Sequence, residues 1–206
     1  MIIAGFAGIG KSRLAAEKPD LYVDFEARSY KYLLGGEDVS EEEMEAIKAD
    51  PFFNTNLCWP CNYLNALEYR NDNYQNLLIE PNMWVLGGLR SRLIPYALVY
   101  PATEAREEYR QRFIKRGKSE KVINNLIRNW DKHLAVLKSD PTPYRLVLEP
   151  NQYLSDVSEM LEKRCSDMIP SAKREGVLLD YSKNLSGPQR LELIMWEHYF
   201  DEIENG

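Results

Sequence analysis

Histidine and cysteine are scarce in this chain of 206 residues, with two of the first and three of the second. That scarcity excludes most sites built from those ligands. Cys58-Trp-Pro-Cys61 has the C-x-x-C spacing, but a zinc site needs two further ligands. Only Cys165, His133 and His198 remain, none paired at ligand spacing, so neither a metal site nor a redox pair is expected there. An odd number of cysteines fits a reducing compartment rather than a disulfide framework. Positive charge is also in deficit. Lys and Arg number 26 against 32 Asp and Glu, a formal net charge of −6, which speaks against a nucleic-acid binder with its basic footprint. No apolar run approaches the roughly 18 residues that cross a bilayer, so no membrane span is expected. Repeats, low-complexity tracts and linker-like stretches are lacking too. With 44% hydrophobic and 28% charged residues, the composition is that of one soluble α/β-sized domain with a real core.

What is present begins at the first residue. Met1 to Ala4 is a short apolar run that reads as a buried strand. Gly5-Phe-Ala-Gly-Ile-Gly-Lys-Ser12 then fits G-x-x-x-x-G-K-S/T, the phosphate-binding loop, and Ser12 to Glu17 opens a helix. Glycines without a Cβ let the backbone come close to phosphate oxygens. The N–H groups of the loop and of the helix N-terminus then face the anion together. Lys11 brings positive charge to the β- and γ-phosphates, and the Ser12 hydroxyl can hold Mg²⁺. Nucleotide contacts are expected from Gly5, Ala7, Gly8, Ile9, Gly10, Lys11, Ser12 and Arg13. Because the loop opens the sequence, with no basic segment or cleavage site before it, a cytoplasmic location is expected rather than a signal peptide.

Further on, Asp20 to Glu26 reads as a second strand that turns polar at Asp24. Ligand groups in an open parallel sheet lie beyond the carboxyl ends of strands, so Asp24, Glu26 and Ser29 are expected on the phosphate-loop rim. Residues 30–56 read as an insertion, with a helix from Ser40 to Lys48 under a capping box of Ser40 and Glu43. A helix follows from Cys61 to about Tyr69, its Tyr63, Leu64 and Leu67 turned to the core. Asn76 to Pro81 is the third strand, ending at Glu80 where a Walker B carboxylate would orient Mg²⁺ or water; capping the next helix is the alternative role. Met83 to Leu93 is a helix and Pro95 to Pro101 the fourth strand. On the Arg-rich helix Glu104 to Gly117, Tyr109, Arg112 and Arg116 share one face. A solvated helix in which Glu108 pairs with Arg112 is the structural alternative. After a phosphate loop, guanidinium groups on a transferring phosphoryl are favoured instead. Lys121 to Leu137 reads as one long amphipathic helix with Val122, Leu126, Trp130, Leu134 and Leu137 on its stripe. A fifth strand spans Tyr144 to Glu149 and a helix Tyr153 to Leu161. The tail holds a helix from Pro188 to about Glu202, docked by Trp196 and Tyr199.

This order resembles that of nucleoside monophosphate kinases and related small P-loop kinases. Four stretches carry a nearer resemblance, to small, mostly phage- and bacterium-encoded P-loop proteins described as nucleotide kinases. They are Gly5 to Ser12, Val23-Asp-Phe-Glu-Ala-Arg-Ser29, Trp59-Pro-Cys-Asn-Tyr63, and Tyr100-Pro101 with Glu108 to Gly117. The resemblance implies a P-loop NTPase fold, a three-layer α/β/α arrangement over residues 1–165 around a five-stranded parallel sheet ordered 2-3-1-4-5. It implies ATP and Mg²⁺, a helical acceptor-binding insertion at 30–75, a lid helix at 102–118, and a helical extension at 166–206. Lys11, Asp24, Arg112 and Arg116 would be catalytic, with Ser12, Asp24 and Glu80 at the metal and the adenine near Glu149 to Tyr153. The partner would be a small acceptor, a nucleotide or nucleoside; a hydroxyl acceptor would use Asp24 as base, a phosphate acceptor none. Two departures stand out. Glu80-Pro81-Asn82 replaces the usual Asp-Gly with its following Pro-Arg, and Arg70 is the only arginine between 30 and 75. A P-loop NTPase that binds or hydrolyses ATP or GTP to regulate a protein partner is the alternative.

Overall fold

Strand β1, Ile2–Gly5, has no polar side chain, and only a position covered on both faces can hold such a run. It lies at the centre of a five-stranded sheet in a computed structural model that describes residues 1–33, 47, 54–71, 76–142 and 144–166. Its neighbours are β3, Asn76–Ile79, and β4, Tyr96–Pro101, with Ile3 level with Leu78 on one side and Ala97 on the other. The edges are β2, Tyr22–Asp24, and β5, Arg145–Leu148, which keeps Arg145 and Val147 exposed. All pairs are parallel and the order is β2-β3-β1-β4-β5, as expected.

Parallel neighbours need crossovers, and the helices supply them. Helix α1, Lys11–Glu17, links β1 to β2; α2, Arg28–Lys31, and α3, Cys61–Asn71, lie between β2 and β3. Helix α4, Met83–Ser91, leads to β4. After β4 come a 3₁₀ turn at Thr103–Ala105, α5 at Arg106–Lys115, α6 at Glu120–Arg128 and α7 at Trp130–Ser139. Helix α8, Leu154–Ser166, follows β5. The chain steps one way across the sheet from β1 to β2 and the other way ever after. Right-handed crossovers therefore put α1 on one face and the later connections on the other. Helix α8 packs on α1, and α3 packs on α4. The helix expected at 40–48, apart from Ile47, and the tail from 167, with its expected helix from Pro188, lie outside the described residues.

One expected helix is in fact two. The run from Lys121 to Leu137 breaks at Asn129, whose backbone leaves helical values (φ −97°, ψ 11°). Its Nδ2 donates to the Asn125 carbonyl at 3.1 Å and to Asn125 Oδ1 at 2.7 Å, the local competition that asparagine offers a helix backbone. The break lets Trp130 enter the core, where its Nε1 donates to the Thr103 carbonyl at 2.9 Å and its ring meets Phe6 edge-on at 5.4 Å. On α6 it leaves Ile123 and Ile127 buried and turns Val122 and Leu126 to another side.

The amino end of β4 is tied by a buried polar network. Arg90 Nη1 donates to Asp140 Oδ2 at 2.5 Å and to the Tyr96 hydroxyl at 2.7 Å. Tyr96 donates to Asp140 Oδ1 at 2.8 Å, the Thr142 N–H donates to the same oxygen at 2.9 Å, and Thr142 Oγ1 donates to the Tyr96 carbonyl at 3.0 Å. Every group in it has partners, as burial requires. Among the described residues no helix is long and apolar enough to cross a membrane.

His133 sits buried on α7, where burial first and Lys132 second depress its pKa from 6.5 to about 4. The unfolded chain thus binds a proton that the fold refuses between those values. Stability is complete above pH 6.5 and falls as pH drops towards 4, by about 3 kcal/mol from this group. Urea midpoints measured from pH 7 to 4 should show that fall, and His133→Phe should flatten it; an equal slope in both proteins rejects the assignment.

Candidate functional site

The loop from Gly5 to Gly10 is held at two points that do not involve any ligand. The Phe6 N–H donates to the Val99 carbonyl of β4 at 2.9 Å, and the Ile9 carbonyl accepts from the Leu154 N–H of α8 at 2.9 Å. Within the loop Gly8 and Gly10 take positive φ, +84° and +98°, which an L side chain adopts only under strain. Gly10 caps α1 from this conformation without a side chain, so the first-turn N–H groups of α1 have no acceptor within the helix. Gly5 ends β1, Ile9 is buried, and Gly10 backs onto Tyr153, so these three shape the loop rather than face outward.

Lys11 lies folded across this loop. Only 9% of it is exposed, and its Nζ donates to the Gly5 carbonyl at 2.6 Å and to the Phe6 carbonyl at 3.4 Å. Burial lowers its pKa; Glu80, Asp24 and Glu26 pull it back up, and the positive charge of Arg116 opposes them. Five charges thus converge on one point. Strand direction explains it: Asp24 ends β2 and Glu80 follows the last residue of β3, so both stand on the rim that β1 hands to the loop.

These groups border one cavity of about 450 Å³. Ala7, Gly8, Lys11 and Ser12 form its loop side, with Asp24, Glu26 and Glu80 along the rim. Arg116 and Lys118 reach it from the end of α5. There Gly117 turns left-handed at φ +70° and closes the helix, its N–H on Ile114 and that of Lys118 on Phe113. Of the residues expected from sequence, the cavity brings together Ala7, Gly8, Lys11, Ser12, Asp24, Glu26, Glu80 and Arg116, while Ser29 does not line it.

Arg112 and Arg13 are not among them. Arg13 is exposed, paired with Glu17 at 2.6 Å. Arg112, one helical turn before Arg116, is 7% exposed and engaged elsewhere. It is salt-bridged to Glu108, donates to the carbonyls of Gly8 and Gln152, and lies over the Tyr153 ring at 3.8 Å. The Glu108 pairing that the sequence offered as the structural alternative is present. Spacing by four residues let the two arginines look equivalent, but a carboxylate one turn back captured the first.

Some of the lining was missed. Arg28 and Lys31 of α2 face the cavity, as do Trp59, Val122 and Leu126. Arg28 lies only four residues beyond Asp24, inside the rim stretch and ahead of the insertion at 30–75. Arg70 instead places its guanidinium 5.0 Å above the Phe25 ring. Tyr63, expected in the core, is there, stacked on Phe25 at 5.3 Å, and it also closes the cavity wall. Cys58 and Cys61 are exposed free thiols, and Cys165 is buried. Among the described residues no three His, Cys, Asp or Glu side chains are grouped to hold a metal by themselves. No protein-family model and no curated protein matches the chain.

A methyl group at Gly8 would meet Phe113 Cε1 at 3.0 Å on a left-handed backbone. Gly8→Ala is expected to cost about 1–2 kcal/mol and to lower the thermal midpoint. A midpoint equal to that of the parent would reject the loop conformation.

Proposed function

We propose that the chain is an ATP-dependent phosphotransferase of the P-loop kinase class, with the three-layer P-loop NTPase fold, that phosphorylates a nucleoside monophosphate. One observation carries the reading: a single cavity holds Lys11, Ser12, Asp24, Glu80 and Arg116, then continues to Arg28, Lys31 and Trp59. The first group suits a triphosphate. The second supplies two further cations and an aromatic face that a triphosphate does not require.

Phosphoryl transfer asks a protein for position and charge rather than covalent chemistry. Loop N–H groups and Lys11 would hold the β- and γ-phosphates, Lys11 exchanging the Gly5 carbonyl for phosphate oxygens. The hydroxyl of Ser12 and the carboxylates of Asp24 and Glu80 are hard oxygen donors on one rim, the set that suits Mg²⁺ alongside substrate phosphates. When bound, that ion neutralises charge on the phosphate oxygens. Arg116 would lie over the γ-phosphoryl and stabilise its equatorial oxygens. The bond from the γ-phosphorus to the bridging oxygen breaks, a bond to an acceptor phosphate oxygen forms, and ADP leaves. Arg28 and Lys31 would hold the acceptor's phosphate, and Trp59 would lie against its base. A phosphate acceptor is already ionised, so no general base is needed and Asp24 keeps its place beside Lys11. The cytoplasm, with its ATP and its reduced thiols, is the proposed setting.

The test is ATP turnover with Mg²⁺ against a panel of nucleosides and nucleoside monophosphates. ADP release stimulated by one monophosphate, with its diphosphate as product, is expected. Slow release of ADP and phosphate whatever the acceptor would favour an NTPase that regulates a protein partner. Lys11→Ala should abolish turnover and most ATP affinity. Arg116→Ala should lower kcat by about 100-fold or more with little change in ATP dissociation constant. Arg28→Ala should raise the acceptor KM about tenfold, the worth of one charge-assisted hydrogen bond, and leave the ATP KM alone.

A further inference from the structure

We infer that the Glu108–Arg112 pair is a positioning device that sets the phosphate loop against the loop at 149–153 and thereby governs ATP affinity. The inference rests on the reading of the cavity as an ATP site. Arg112 reaches three chain segments from one buried guanidinium. Its Nη1 donates to the Gly8 carbonyl at 3.2 Å, and its Nη2 donates to the Gln152 carbonyl at 2.9 Å and to Glu108 Oε1. The other carboxylate oxygen of Glu108 accepts from the Asn151 N–H at 2.8 Å. That bond pins Asn151 in its left-handed conformation, φ 68°, which asparagine adopts more readily than other residues with a side chain.

The stacking points the same way. The guanidinium lies between the Tyr109 ring, 4.5 Å from its centroid, and the Tyr153 ring, at 3.8 Å. Tyr153 in turn abuts the loop, its Cδ1 3.3 Å from where a Cβ on Gly10 would be. The next residue donates its N–H to the Ile9 carbonyl. Both loops are therefore fastened to α5, whose following turn ends at Arg116.

Fixing the Gly8 carbonyl has a consequence for the loop's donors. A trans peptide directs its N–H opposite its carbonyl. With the Gly8 oxygen held towards Arg112, the Ile9 N–H is turned across the loop, where it lies 3.5 Å from the Phe6 carbonyl. Arg112 thus orients a phosphate-loop peptide without bordering the cavity. Its Nε is sealed from solvent and has no hydrogen-bond partner among the described residues, so the guanidinium is not turned outward to meet a ligand. Arg112 is a positioning residue. A lysine could not replace it, because one ammonium cannot reproduce the planar fork that reaches Gly8, Gln152 and Glu108 together.

The test compares Arg112→Lys, Glu108→Gln and the double variant in the full chain. Arg112→Lys is expected to weaken Mg·ATP binding about tenfold or more by calorimetry while kcat at saturating ATP changes less than about threefold, the reverse of the Arg116→Ala split. Glu108→Gln should show the same pattern more weakly. The double variant should bind no worse than Arg112→Lys, since the two act as a unit. A loss of kcat with unchanged ATP KM would overturn the inference and put the guanidinium on the transferring phosphoryl. Amide hydrogen exchange supplies a readout independent of catalysis: residues 6–10 and 149–153 should exchange faster together in Arg112→Lys, with β4 unaltered. Unchanged exchange in those loops overturns the inference. If the parent binds no ATP, the proposed function fails, and the exchange result still decides the brace. Should Arg112→Lys not fold, Glu108→Gln carries the same comparison.

Discussion

All five strands point the same way, and from that constraint the rest of the molecule follows. A parallel sheet gathers its carboxyl ends on one rim. Gly5 hands the chain to the glycine-rich loop there, Asp24 and Glu80 arrive from the strands to one side, and Pro101 leads into α5 from the other. Residues far apart in sequence meet at this rim because the order β2-β3-β1-β4-β5 places the loop strand in the middle. The carboxylates lie to its left and the arginine-bearing helix to its right.

Charge then decides what such a rim can do. The chain as a whole carries a formal −6, yet its cavity is lined by Lys11, Arg28, Lys31, Arg116 and Lys118 against Asp24, Glu26 and Glu80. The cleft is thus locally positive in a protein whose overall charge is negative. Lys11 shows how the balance is kept. Desolvation pulls its pKa down, and the three carboxylates act against that pull.

Much of this was legible in the sequence, for identifiable reasons. Ile2 to Gly5, Leu77 to Ile79 and Tyr96 to Pro101 are runs that only a sheet buried on both faces explains, and Gly8 and Gly10 mark left-handed positions. Asp24 and Glu80 were readable because strand ends announce themselves as a change from apolar to acidic. The missed features depend on tertiary context. Asn129 is an ordinary helix residue by pattern, and only its side chain's bond back to Asn125 splits the helix. Arg112 and Arg116 share a face by spacing, but Glu108, Gly8 and Gln152 converge on one alone. Val122 and Leu126 read as core until the break at Asn129 turns them to the cavity.

The network of Arg90, Tyr96, Asp140 and Thr142 lies at the opposite pole, at the amino end of β4. It joins α4, the fourth strand and the segment after α7 through bonds of 2.5–3.0 Å. Buried ionic groups of this kind add little net stability over apolar substitutes, but they tolerate only one arrangement. The sheet therefore has two unlike ends, a polar anchor at the amino end of β4 and an open charged cavity at the carboxyl rim. Substitutions in the anchor are felt as a looser, less singular fold, whereas exchanging an exposed side chain of the cavity leaves that anchor untouched.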